Sequence, residues 1–285
     1  MKASAQKLVT ATPRALWAAV NRFNTNNGWI LSSHVAMSLM LALFPFVLFT
    51  VALAGALSRD IDIERLIQFI FGVWPDAIAA PIVTEIRAVL ATDSLKLMTV
   101  GGVLALYFAS NGVDAVRIAV SLAYRDYDPR PFWKTRALAV LFVLTGGGVL
   151  LLGLTVGFGL PTYFHYFTDT VPDWVERWAQ NGLLNAGVTL GILTFAVSAC
   201  HIWLTGLHHS FKEVWPGVFL TILLWIAAVS GFTLYISTFA NYSATYAGLA
   251  GAMAGLIFLY LMAAILILGA EFNGALIRAL QGKKP

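Results

Sequence analysis

The chain has 285 residues, of which 59% are hydrophobic and only 11% charged, against roughly 45–50% apolar and about 25% charged in a soluble domain. That balance excludes a soluble globular protein and points to a chain built for lipid. The net charge of +4 does not indicate nucleic-acid binding, because Lys and Arg fall between the apolar runs and form no basic face.

Residues 1–33 carry Lys2, Lys7, Arg14 and Arg22 and no acid. Thr12-Pro13 marks a helix start, with Pro at a position whose missing N–H costs nothing. Leu16, Val20 and Phe23, with Trp17 beside them, then predict an amphipathic helix lying on the membrane surface. No cleavable signal is expected. The first apolar run begins only after more than thirty residues of polar, helix-prone chain and is too long for a signal's apolar core.

Residues 35–57 form the first expected span, with Pro45 in its middle removing one backbone hydrogen bond and predicting a kink. Residues 58–96 are too polar to cross. Ile63, Leu66, Ile67, Ile70 and Phe71 make a helical stripe opposite Glu64, Arg65 and Gln68, and a second such helix starts near Pro81. These outer amphipathic segments lie along the interface or cap the bundle, with a re-entrant hairpin as the alternative.

Residues 97–122 make the second span, in which Asn111, Asp114 and Arg117 recur at three-residue spacing along one face. Two readings stay open: a polar pathway inside the bundle, or a helix that leaves the membrane near residue 112. The segment from Tyr124 to Arg136 holds four positive charges beside aromatic residues, as does a loop facing anionic headgroups. Residues 137–160 and 183–204 are the third and fourth spans. Their glycines four apart, Gly153 with Gly157 and Gly187 with Gly191, predict close helix packing.

Residues 218–240 and 247–270 form a hairpin of two spans joined by six residues, each long enough to cross a core of about 30 Å. Small residues four apart, including Gly251 and Gly255, open the second. Glu271 and Asn273 at its far end either mark the exit into water or form part of a polar site. Twelve of the Lys and Arg residues fall on the side of the two termini and five on the other, which places both termini in the cytoplasm.

The expected architecture is therefore all-α. It is a polytopic bundle of six transmembrane helices plus amphipathic interfacial helices, with residues 1–33 as a cytoplasmic segment and 34–285 as one membrane domain. A catalytic or metal assignment finds no support: there is no phosphate-binding loop, and His201, His208 and His209 lack a completing ligand set beyond Glu213. No cofactor is expected. The candidate functional residues are Asn111, Asp114, Arg117, Glu271 and Asn273, lining a polar groove if the fold brings them together, or acting as glue between helices if it does not.

Four stretches carry a resemblance. They are Ser38-Leu-Met-Leu-Ala-Leu-Phe-Pro45, Arg130-Pro-Phe-Trp-Lys-Thr-Arg136, Asn241-Tyr-Ser-Ala-Thr-Tyr-Ala-Gly248 and Gly269-Ala-Glu-Phe-Asn273. Through them the chain resembles the YihY/BrkB family of bacterial inner-membrane proteins, some long labelled ribonuclease BN. It departs from the family at the head of the first span, where His34-Val-Ala-Met stands. The resemblance implies six spans, cytoplasmic termini, a place in envelope integrity and a role in moving lipids or lipid-linked molecules. The ribonuclease label fits poorly, since no soluble segment exceeds about forty residues, too few for a nuclease core. Membrane lipids are the expected partners, nucleic acid is not, and a second copy or an envelope protein stays open. Two functions remain in view, a transporter of an amphipathic anionic substrate and a non-transporting scaffold. Substrate, energy source and oligomeric state lie beyond the sequence.

Overall fold

The computed structural model describes residues 2–57, 95–154, 182–239 and 249–281, together with Glu64, Ile67, Ala80, Val83, Thr84 and Arg87. The expectations for most of the outer amphipathic segment, for Gly157 and for the link at 241–246 lie outside the described residues. Among those described the regular structure is helical and no strand occurs. In chain order the helices are α1 (Lys2–Thr25), α2 (Gly28–Leu57), α3 (Leu95–Tyr124), α4 (Phe132–Leu154), α5 (Gly182–Ala199), α6 (Phe211–Phe239) and α7 (Leu249–Leu280). A π-helical segment, Cys200–Leu204, continues α5.

Among the described residues three stretches are long and apolar enough to cross a membrane: Gly102–Tyr124, Phe211–Tyr235 and Met253–Leu280. The apolar stretches Gly28–Ala42 and Thr189–Leu204 are shorter. α2 runs through Pro45 as one element.

The chain divides into two compact units. The first comprises residues 1–40, 112–135 and 193–285, and the second residues 41–111 and 136–192.

In the first unit α1 is longer than the Thr12-Pro13 signal implied. It begins at Lys2 and carries Pro13 inside it, giving up one backbone hydrogen bond. Its buried face is also not the one expected. Ala15, Ala19 and Phe23 are buried, whereas Leu16, Trp17 and Val20 are exposed. The alanines pack on Phe272, Ala275 and Leu276 of α7, because small side chains let two helices approach closely. The larger apolar groups are thereby left on the outer side.

The corner between α1 and α2 is fixed by several local contacts. Asn27 takes φ 57°, a left-handed conformation that Asn tolerates better than most residues. The Trp29 indole donates to Asn24 Oδ1 at 3.0 Å and meets the Phe23 ring edge-on at 4.9 Å. A Cβ on Gly28 would come within 2.5 Å of that ring.

α7 extends well past the expected end of the last span. Glu271 and Asn273 sit inside a helix that continues to Leu280. α3 likewise runs unbroken to Tyr124. At about 1.5 Å per residue its thirty residues cover about 45 Å, more than a hydrocarbon core of about 30 Å requires. α6 and α7 approach most closely at Gly217 and Gly269. A Cβ on Gly217 would strike the Gly269 carbonyl, and one on Gly269 would strike the Thr221 hydroxyl.

In the second unit Arg136 donates to Asn111 Oδ1 at 2.5 Å and to the Tyr107 carbonyl at 3.0 Å. Its guanidinium lies 4.4 Å from the centroid of the Tyr107 ring. Ile67, on the expected apolar stripe, is buried, and Glu64 pairs with Arg87 on the exposed side. Among the described residues a Cβ on Gly187 or Gly191 meets nothing within 4 Å.

Candidate functional site

The polar side chains of the first unit gather where α3 ends, around the short segment that leads to α4. α3 brings Asp114 and Arg117 one turn apart, and Arg117 Nε donates to Asp114 Oδ1 at 2.7 Å. The same guanidinium reaches Asp128 Oδ2 through Nη1 at 2.6 Å. Asp128 also takes Arg125 at 2.6 Å and Arg130 at 2.8 Å, so three guanidinium groups share one carboxylate. Burial by itself would raise the pKa of Asp128, but the hydrogen bonds and charge of Arg130, with the charge of Arg125, outweigh it and hold the group well below the usual carboxylate range. Burial pushes Arg125 down from its ordinary value, with Asp128 opposing and the like charges of Arg130 and Arg117 adding to the fall.

Arg130 also ties this cluster to the π-helical segment by donating to the Leu204 carbonyl at 2.5 Å. Gly206 makes room for it. Its φ of +64° suits glycine, and a Cβ there would lie 2.6 Å from the Arg130 guanidinium. Within the basic segment between Tyr124 and Arg136, read from the sequence as a loop against anionic headgroups, Arg125 and Arg130 pair with Asp128. Lys134 remains exposed.

Tyr124, the last residue of α3, stands beside two histidines. Its hydroxyl is 2.7 Å from His201 Nδ1, and its ring lies 4.8 Å from that of His209. His201 has no exposed surface. Among the described residues its Nε2 has no hydrogen-bond partner, and neither does Nε2 of His209. His209 Nδ1 lies 3.7 Å from Glu213. Burial lowers the basicity of this imidazole and Glu213 partly restores it, with a net downward shift. His208 is exposed, and no group of three metal-ligating side chains occurs among the described residues.

Two further brackets form on α7. Glu271 is 2% exposed and accepts from Arg22 Nε at 3.1 Å and from Asn26 Nδ2 at 2.8 Å. Asn273 is fully buried; its Oδ1 accepts from the Gly217 N–H at 2.6 Å and its Nδ2 donates to the Val214 carbonyl at 2.7 Å. Arg278, two turns beyond Glu271, donates to the Ala123 carbonyl at the end of α3 at 3.2 Å. Its Nε and Nη2 are shielded from solvent and have no acceptor among the described residues.

The five sequence-derived candidates thus occupy separate settings. Asp114 and Arg117 belong to the Asp128 cluster. Glu271 engages Arg22 and Asn26, and Asn273 engages Gly217 and Val214 of α6. Asn111 pairs with Arg136 in the second unit. Arg22, Asn26, Tyr124, Asp128, Arg130, His201 and Arg278 were not among the groove candidates, because their partners lie far along the chain or in a segment taken as a surface loop.

Known proteins place this arrangement in a membrane family. The ribonuclease-like protein YfkH of Bacillus subtilis (strain 168) is 27% identical over 266 residues, covering 90% of this chain and 92% of its own length. A UPF0761 membrane protein of Alteromonas mediterranea is 22% identical over 271 residues, covering 93% and 88%. No solved structure matches. The family model described as virulence factor BrkB matches residues 19–285, and with its apolar helices the chain belongs to the BrkB family of membrane proteins.

Proposed function

We propose that this protein is a six-span component of the bacterial inner membrane, with both termini cytoplasmic, that moves a lipid or another amphipathic anionic substrate across the bilayer and carries out no catalytic reaction. The observation that carries this reading is Arg278. Its Nε and Nη2 are shielded from water with no protein acceptor among the described residues, and while Arg22 repels the guanidinium, Glu271 and Asp126 attract it only through space. A buried guanidinium donor without an acceptor costs about 1–3 kcal/mol or more, which an anionic oxygen would recover. Phosphate and carboxylate oxygens suit a planar guanidinium best.

A second reading, a non-transporting scaffold, draws support from a different fact: Asp114, Arg117, Glu271 and Asn273 each already hold a protein partner. The two readings separate in reconstituted liposomes carrying labelled lipids. Headgroup transfer by the wild type, slowed by Asp114→Asn and by Glu271→Gln at equal folded protein, supports transport. Transfer no faster than in empty liposomes, across anionic and neutral lipids, supports the scaffold.

A further inference from the structure

We propose that the outer face of α1 docks onto anionic membrane lipid, with Leu16, Trp17 and Val20 entering the edge of the acyl region while Arg14 and Arg22 meet headgroup phosphates. At about 100° per residue the helix divides into three faces. Ala15, Ala19 and Phe23 share an arc of about 80° and are buried, the two alanines against α7. Leu16, Val20 and Trp17 fill the next arc, of about 100°, and are exposed. Asn24, the polar residue within that arc, turns its amide oxygen to the Trp29 indole. Asn21, Arg14 and Arg22 fill a third arc, of about 100°, where Asn21 and Arg14 are exposed and Arg22 is half-buried.

The surroundings of this face fit lipid. α1 packs on α7, whose Met253–Leu280 stretch is long and apolar enough to cross a membrane. At Asn27 the chain turns into the apolar stretch Gly28–Ala42 of α2, which leaves Trp29 and Ile30 exposed. The apolar arc of α1 therefore continues a surface shaped for acyl chains. Trp17 is 76% exposed, and an indole, apolar in its body with one N–H donor, suits the boundary between acyl chains and water. A helix lying there sinks its apolar face by about 5–10 Å.

Charge selects the kind of lipid. Residues 1–33 hold Lys2, Lys7, Arg14 and Arg22 and no acid, and guanidinium groups bind phosphate oxygens through paired N–H donors. Arg14 borders the apolar arc beside Trp17. Arg22 meets Glu271 through Nε, and its side chain is still 25% exposed, so the residue that joins α1 to α7 is also reachable from the surface. Anionic lipid thus braces the same helix that Glu271 holds. A second copy set on this face by two-fold symmetry would instead bring Arg14 towards Arg14, with no acid in the segment to offset them.

The test places a fluorophore at single sites of the full chain in nanodiscs. Cys200, the lone cysteine, is first changed by Cys200→Ala, and the label is attached through Leu16→Cys, Val20→Cys or Asn21→Cys. All three positions are exposed, so the label leaves the packing of Ala15 and Ala19 in place. In phosphatidylglycerol nanodiscs the labels replacing Leu16 and Val20 are expected to be quenched several times more strongly by a nitroxide high on the lipid acyl chain than by acrylamide in water, and the label replacing Asn21 the reverse. Part of the lipid quenching should be lost when phosphatidylcholine replaces phosphatidylglycerol, and when Arg14→Gln is added in phosphatidylglycerol. Acrylamide quenching as strong at Leu16→Cys and Val20→Cys as at Asn21→Cys would put the face in water and overturn the proposal. Crosslinking of two copies through Val20→Cys, with its label shielded from both quenchers, overturns it in favour of a second copy. Lipid quenching that is the same in both lipids and in Arg14→Gln also overturns it, because charge then plays no part.

Discussion

Glu271 and Arg22 form an ion pair, 3.1 Å from Oε2 to Nε, across 249 positions of sequence. The carboxylate is buried in α7 and the arginine rides on α1, with Asn26 completing the bracket at 2.8 Å. Removing one partner leaves a buried charge that water cannot reach easily, which costs several kcal/mol when burial is complete.

The first prediction follows from that pair. Arg22→Ala leaves the buried Glu271 carboxylate, 2% exposed, without its counter-charge and lowers stability by about 3–5 kcal/mol. Glu271→Ala also frees α1 from α7 but leaves Arg22, 25% exposed, within reach of water, a smaller effect of about 1–2 kcal/mol. Hydrogen exchange along α1 in detergent provides the check: faster exchange at residues 12–25 in both variants is expected, and unchanged exchange in Glu271→Ala refutes the bracket.

The crossing of α6 and α7 supplies the second. Gly269→Ala places a methyl group on the Thr221 hydroxyl and Gly217→Ala places one on the Gly269 carbonyl. Overpacking of this kind costs about 1–3 kcal/mol, read as a lower thermal midpoint. Gly187→Ala and Gly191→Ala meet open space and should leave the midpoint within the error of wild type or raise it slightly, as helix propensity favours alanine.

The third concerns Asp128. Its carboxylate form is favoured in the folded protein, so the unfolded chain binds protons more readily, and the resulting stability is present above the unfolded value near 3.9 and lost as pH falls below it. His209 titrates with the same sign: its basicity is depressed on folding, so its contribution fades as pH falls below about 6.5. Thermal midpoints of wild type and Asp128→Asn between about pH 3 and pH 7 test this. The variant should be less stable near neutrality, with the gap narrowing in acid. A gap that stays constant refutes the assignment.

Some of this was legible in the sequence. The long apolar runs fix membrane helices, since only an internally bonded helix satisfies its backbone in lipid. The three-residue spacing of Asp114 and Arg117 fixes their mutual reach. The ties of Asp128 to Arg117, of Asn273 to Gly217 and of Glu271 to Arg22 were not legible, because helical periodicity shows which residues share a face without naming what that face meets. The same limit explains α1. Leu16 and Val20 are the more hydrophobic residues, yet close approach to α7 selects Ala15 and Ala19. It also explains the glycines. Spacing at Gly187 and Gly191 resembles a contact, but the tight crossing lies at Gly217 and Gly269, where Thr221 and Asn273 rise to meet them.

The most direct measurement is the transfer rate of labelled phosphatidylglycerol, relative to labelled phosphatidylcholine, in liposomes holding wild type or Arg278→Gln at equal folded protein. The account predicts faster transfer of phosphatidylglycerol by the wild type, and a severalfold loss of that preference in Arg278→Gln, whose amide keeps a donor for the Ala123 carbonyl but lacks the charge. Equal rates for both lipids, unchanged by the substitution, or no transfer above protein-free liposomes, would contradict it.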